Sequence, residues 1–210
     1  MMKQRNAFTL AEVLITLGII GVVAAMTMPT LLNSTQGAQY RTAYKKVLSV
    51  LSQAVVLNVA LDDYDLSQAT LSQNTDGTSA SLYNLFNNRM NVARVCGGGA
   101  GTCGNNDSWE VGAAQFGNKN DNNYTFFFND GTTLSFPKTN ASCSEDNPCD
   151  GILDVNGAKN PNKLVECDDK ETNGTNCKVS NPTDIYPIRM YDQTIVPKTT
   201  AGNTVLFGGK

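Results

Sequence analysis

No histidine occurs among the 210 residues. That absence excludes Ser-His-Asp and Cys-His catalysis and most zinc-site geometries. A phosphate-binding loop is also missing. The glycine-rich run Gly97–Gly101 lies between Cys96 and Cys103 and does not open a helix, so it reads as a loop. There is no basic excess: 16 Lys and Arg stand against 19 Asp and Glu, and nothing points to a nucleic-acid partner. The single tryptophan, Trp109, is expected in the core. Charge is scarcest near the N-terminus, where Glu12 is the only charged residue between Phe8 and Leu32.

What is present divides the chain in two. Met1–Ala7 is polar and basic through Lys3 and Arg5, and the 25 residues from Phe8 to Leu32 are apolar apart from Glu12 and a few hydroxyls. At about 1.5 Å per residue that run crosses a bilayer core of roughly 30 Å. The basic flank belongs on the cytoplasmic side, which places the C-terminal body outside. Two plain readings are a secretory signal peptide cut near Val23–Ala25 and an uncut signal anchor. The first leaves Glu12 unexplained, because a carboxylate deep in lipid costs on the order of 2–3 kcal/mol. Gly18, Gly21 and Pro29 weaken the helix interior. Beyond the apolar run, Tyr40, Tyr44, Val47, Leu48, Leu51 and Val55 recur at three- and four-residue spacing. They predict one continuing helix that ends near Leu61, with an apolar seam against a head.

From Val47 onward acidic residues outnumber basic ones, 18 to 11, and Gly, Asn, Asp and Thr favour turns and short strands. Tyr124–Phe128 and Thr132–Phe136, joined by Asn129-Asp130-Gly131, predict a β-hairpin. Ile152–Val155, Ile185–Tyr191 and Thr204–Phe207 are further strand candidates, and Ser81–Met90 a short helix. Six cysteines, Cys96, Cys103, Cys143, Cys149, Cys167 and Cys177, all fall in this body. An even number in an exported region indicates disulfides, with 15 pairings open. Spacing favours three local pairs: Cys96–Cys103, Cys143–Cys149 and Cys167–Cys177. Metal ligation is the rival, without a Cys-x-x-Cys pair or a histidine to support it.

The stretch Lys3-Gln4-Arg5-Asn6-Ala7 followed by Phe8-Thr9-Leu10-Ala11-Glu12-Val13-Leu14-Ile15 resembles the type IV prepilin cleavage and methylation motif, shared with type II secretion pseudopilins. The resemblance implies that prepilin peptidase cuts between Ala7 and Phe8 and methylates the Phe8 amine. Ala7 departs from the family's usual Gly, and Ala11 from a bulky apolar residue. Glu12 would then pair with the Phe8 amine of a neighbouring subunit and fix its register. The plain alternative is that Glu12 sits at headgroup level. The Gly18–Pro29 stretch would lose helicity on packing, with a simple kink at Pro29 as the plain alternative. The implied fold is α+β and pilin-like: a leader at 1–7, a transmembrane and filament-core helix at 8–32, its amphipathic continuation at 33–61, and a small antiparallel β-sheet head with disulfide-stapled loops at 62–210.

Asp154-Val-Asn-Gly-Ala-Lys-Asn-Pro-Asn162 resembles a second pseudopilin segment, with Asp184-Ile-Tyr-Pro-Ile188 and Tyr191–Pro197 as its continuation and Glu166–Thr183 as an insertion. Related major pseudopilins hold calcium in a C-terminal loop, and the resemblance would make Asp154, Asn156 and Asp184 its oxygen ligands. The spacing does not fit an EF-hand, and an Asx-turn network without metal is the favoured reading. No other cofactor is expected, and no enzyme activity. The expected function is a structural subunit of a type IV pilus-like or type II secretion filament. Its partners would be prepilin peptidase, other pilin subunits, an inner-membrane assembly platform and membrane lipid. The alternative is a minor, tip-located adhesin or substrate receptor using the loops Gly97–Asn106 and Asp168–Asn176.

Overall fold

The structure is a computed structural model that describes residues 9–71, 79–97, 103, 109–111, 114–117, 122–168 and 177–208. Its first element, α1 (Leu10–Asp62), is a single helix of 53 residues. Thr9 caps it, with its hydroxyl accepting from the Glu12 backbone N–H. The helix continues through Gly18, Gly21 and Pro29, and ends where Asp63 turns left-handed at φ 57°. Its two halves live in different surroundings. No residue of Leu10–Met28 is buried by the rest of the protein. The second half buries Tyr44, Val47, Leu48, Leu51, Ala54 and Val55 against the head. One polar residue, Asn58, shares that buried face. Its amide donates to the Tyr64 carbonyl at 2.9 Å and its oxygen accepts from Arg89 Nε at 3.3 Å, which fixes how the chain leaves the helix.

The head is built on one antiparallel sheet. Its strands are β1 (Val92–Cys96), β4 (Asn123–Phe128), β5 (Thr133–Pro137), β6 (Cys149–Asp154), β7 (Ile185–Tyr191) and β8 (Thr194–Pro197), in the order β1-β4-β5-β6-β7-β8. A separate hairpin pairs β2 (Trp109–Val111) with β3 (Ala114–Phe116). The predicted β4–β5 hairpin forms, with Phe126 opposite Leu134 and Phe127 opposite Thr133. Its turn works because Asp130 Oδ1 accepts from the Thr132 N–H and hydroxyl while Gly131 takes φ 88°.

Alternation along the strands gives the sheet two apolar faces. Tyr124, Phe126, Phe136, Leu153, Tyr186, Ile188 and Met190 face α1 and the short helix α2 (Leu82–Arg89) in one core. Phe126 stacks on Phe136, and Tyr186 stacks on Tyr44 at 3.8 Å between ring centroids. On the opposite face Phe116 of β3 covers Ile185, with Phe127, Ile152 and Leu164 around them.

One predicted strand is a helix. Thr204–Phe207 lies in α3 (Thr200–Phe207), although Thr204 and Val205 suit a strand by propensity. Pro197 ends β8, and the Thr199 hydroxyl then accepts from the Gly202 N–H at 3.1 Å as an N-cap. Helical winding buries Ala201, Gly202 and Val205 against the core. A Cβ on Gly202 would come within 3.3 Å of the Tyr44 hydroxyl, so the small residue admits the contact with α1. The side chain of Trp109 lies outside what the structure describes.

Candidate functional site

Ala7 and Phe8, the expected cleavage junction, lie outside the described residues. Glu12 sits one turn into α1, and its Oε2 accepts from both the Thr9 N–H and the Thr9 hydroxyl at 2.8 Å. With the reciprocal bond from the Glu12 N–H to Thr9 Oγ1 this is a complete capping box. The spacing Thr-x-x-Glu is the sequence signal for it, and the family resemblance alone did not point to Thr9. Around and beyond Glu12 the helix surface is apolar on all sides: Leu10, Leu14, Ile15, Leu17, Ile19 and Ile20 are each exposed. Within Leu10–Met28 the remaining polar side chains are satisfied within the helix, Thr16 donating to the carbonyls of Glu12 and Val13, and Thr27 to that of Val23. A segment with no unpaired polar group and no charge after its first turn is built for an apolar medium, lipid or protein.

The second set of candidate residues lies far from Glu12, at the edge of the head that meets α1 at Tyr40. Asp154 and Asp184 are both fully buried, on the adjacent strands β6 and at the entrance to β7. Asp184 Oδ1 accepts from the Lys163 N–H and Oδ2 from the Asn162 N–H, both at 2.8 Å. Asp154 Oδ1 accepts from the Asn156 N–H at 3.0 Å, an Asx turn. Asn156 Nδ2 then reaches the Tyr40 hydroxyl and the Asn160 carbonyl, each at 3.3 Å. The loop from Val155 to Lys163 is thereby tied to the sheet at both ends and to α1 in the middle. Burial raises the Tyr40 hydroxyl's pKa, and the Asp184 and Asp154 charges push it the same way. Burial likewise pushes up Tyr44 and Tyr186, which stack beside this loop.

The structure brings Asp154, Asn156 and Asp184 together. Their donor set fits calcium poorly. Both Asp184 oxygens already serve backbone N–H groups, and calcium takes six to eight oxygens. Asn156 Oδ1 is a buried oxygen without a partner. Among the described residues no three His, Cys, Asp or Glu side chains gather as a metal cluster.

The cysteines pair as Cys96–Cys103, Cys143–Cys149 and Cys167–Cys177. The second pair is stitched into the top of the head, where the Cys143 N–H donates to the Leu66 carbonyl and the Asp192 N–H to the Cys143 carbonyl. Of the two loops considered as receptor surfaces, only Gly97, Cys103 and Asp168 fall within the described residues.

Comparison with known families places the N-terminus. Residues 2–28 match the prokaryotic N-terminal methylation motif, the type IV prepilin-like signal. The match covers Lys3, Arg5, Ala7, Phe8, Glu12 and the apolar half of α1. Neither the curated proteins nor the solved structures give a match. The chain is therefore pilin-like in two respects, its prepilin-type signal and its long N-terminal helix on an antiparallel sheet, and is membrane-anchored through that helix.

Proposed function

We propose that the chain is a structural subunit, pilin or pseudopilin, of a type IV pilus-like or type II secretion filament. The observation that carries this reading is the continuity of α1. The helix bearing the methylation motif runs unbroken from an uncovered apolar half into the core of the head. Cutting at Ala7–Phe8 would leave an apolar rod with a positive amine at its tip and a rigidly attached soluble head. In this reading the head lies outside the cytoplasm, the rod is delivered by an inner-membrane platform, and the protein has no catalytic role. Intact mass and N-terminal peptide mapping of the chain from its native membrane test it. A chain that begins at N-methylated Phe8 is expected. An N-terminus at Met1 or Met2, or near Ala25, overturns it.

Asp154, Asn156 and Asp184 act in this reading as an internal latch without metal, because backbone N–H groups supply what a cation otherwise would. Adding millimolar calcium, and then a chelator, is expected to leave the thermal midpoint of the head unchanged. A calcium-dependent rise, which mass action produces for any ion bound only by the folded state, would make the site a metal site.

A further inference from the structure

The described lysines divide by position. Lys46 pairs with Asp130 at 3.0 Å and Lys198 with Asp150 at 2.6 Å, while Lys138 lies 5.3 Å over the Tyr124 ring. Lys45, Lys159, Lys163 and Lys178 are exposed, and among the described residues none of their ammonium groups has a partner. These four lie toward the apolar half of α1. Gly37 packs against Pro182, the Tyr40 hydroxyl accepts from Asn156 Nδ2, and Arg41 Nη2 donates to the Val179 carbonyl at 3.4 Å. Those contacts hold the Val155–Lys163 loop and the stretch from Lys178 to Pro182 level with residues 37–41 of the helix. Carboxylates at this edge are engaged. Asp154 and Asp184 are buried on backbone N–H groups, Asp168 holds the Ser180 N–H and hydroxyl, and Glu166 is likewise bound. Exposed acid gathers at the opposite end of the head. Asp62 and Asp63 close α1, and the turn carrying Glu145 and Asp146 is tied to Leu66 through the Cys143 N–H.

We propose that the edge formed by Lys159, Lys163 and Lys178 docks on anionic phospholipid headgroups of the membrane that holds α1. The inference needs only the anchored helix and stands whether or not the chain is cut at Phe8. The heights agree. A bilayer about 40–45 Å thick with a hydrocarbon core of about 30 Å has a headgroup layer of roughly 5–8 Å on each side. With Leu32 at the hydrocarbon boundary, Gly37 stands about 8 Å further along the helix, at the outer face of that layer. The loops packed beside Gly37 and Tyr40 therefore bring their ammonium groups to the phosphates, each a charge-assisted donor to a phosphate oxygen. Lys45, higher on α1, adds to the field rather than to the contact. An acidic head would be repelled if its charge were evenly spread. Asp62 and Asp63 instead lie about 38 Å along α1 from Gly37, several times the screening length of about 8 Å, so they do not oppose the docking. The loop is also fixed in advance by the Asp184 latch, which lowers the ordering cost of contact. A second copy is the less fitting partner in the membrane. Two chains anchored at the same depth hold their basic edges level, and the acidic end of one cannot reach the basic edge of the other.

The test uses the full chain reconstituted in phosphatidylcholine vesicles with about 30% phosphatidylglycerol. A benzophenone-bearing residue replaces the exposed Ala158, next to Lys159. On illumination at about 0.1 M salt, its peptide is expected to carry lipid adducts. Pure phosphatidylcholine, or about 1 M salt, is expected to lower the adduct yield about tenfold or more, because both remove the attraction between the lysines and the headgroups. Lys159→Gln, Lys163→Gln and Lys178→Gln together are expected to lower it as far in the anionic vesicles, with the thermal midpoint of the head unchanged. The three Lys→Arg substitutions keep the charge and are expected to keep the yield. Adducts that ignore lipid charge and salt, adducts that map to a second copy or to another part of the chain, or a triple glutamine variant that labels lipid as before, overturn the inference. An N-terminus other than Phe8 overturns the filament reading and leaves these results as they are, so the two failures are distinguishable.

Discussion

Glu12→Gln is expected to leave cleavage at Phe8 intact and to cut the filament recovered by shearing about a hundredfold. Glutamine at the third helical position keeps the capping box, since its side-chain oxygen still accepts from the Thr9 N–H. The substitution therefore removes the charge without unwinding the first turn of α1. What it takes away is the carboxylate that, in the proposed filament, meets the positive Phe8 amine of an incoming subunit. A lone ionised group in hydrocarbon costs about 2.5–3.5 kcal/mol. Releasing that cost at each new contact is worth roughly two powers of ten in the assembly constant. Thr9→Ala makes the complementary test. It removes the hydroxyl that accepts from the Glu12 N–H and donates to Glu12 Oε2, an N-cap loss of about 1 kcal/mol, while the charge stays. Its filament yield is expected to fall far less than that of Glu12→Gln. Equal losses from the two variants, measured on sheared fractions with the N-terminus checked by mass, would mean that Glu12 matters only as a cap.

Periodicity made the long elements legible. The seam from Tyr40 to Val55 reads directly as one helix face, and five of its six members are buried, with Tyr40 half-buried. The β4–β5 hairpin was equally readable, because Asn129-Asp130-Gly131 demands a tight turn between two aromatic runs. Sequence reasoning failed where tertiary contact overrides propensity. Thr204-Val-Leu-Phe207 is β-branched and apolar, yet it winds into α3, since a capping Thr199 and the small Ala201–Gly202 pair fit against Tyr44. The edge strand β1 was also missed. Val92-Ala-Arg-Val-Cys96 alternates weakly, and its partner Phe126–Phe128 lies some thirty residues on, beyond a glycine-rich loop. At the candidate sites, the Thr9–Glu12 box was written in the spacing. The exposure of Val56, Leu57 and Leu61 was not, because an apolar residue in a helix looks the same in sequence whether or not the head covers it.

Asp184→Ala is expected to destabilise the head by about 3 kcal/mol or more, the scale for removing two hydrogen bonds to a charged acceptor. Its carboxylate is fully buried and holds two consecutive backbone N–H groups, of Asn162 and Lys163, which lose their acceptor when it is truncated. For a head of this size the thermal midpoint is expected to drop roughly 6–12 °C. Asp184→Asn is the sharper test. The isosteric amide fills the same space but presents an NH₂ to one of the two backbone donors, so one acceptor remains where two are needed. It is expected to cost nearly as much as alanine, whereas a residue that served only packing would tolerate the amide. Asp168→Ala supplies the comparison. That exposed carboxylate also accepts from a backbone N–H and a hydroxyl, both of Ser180, but water replaces it at a cost of about 1 kcal/mol or less. The damage from Asp184 should also spread along the chain. With Asn162 and Lys163 released, Asn156 loses its fixed reach to the Tyr40 hydroxyl, and limited proteolysis is expected to cut between Val155 and Lys163 first. If Asp184→Asn melts with the unsubstituted protein, backbone latching by this carboxylate is not what holds the loop to α1.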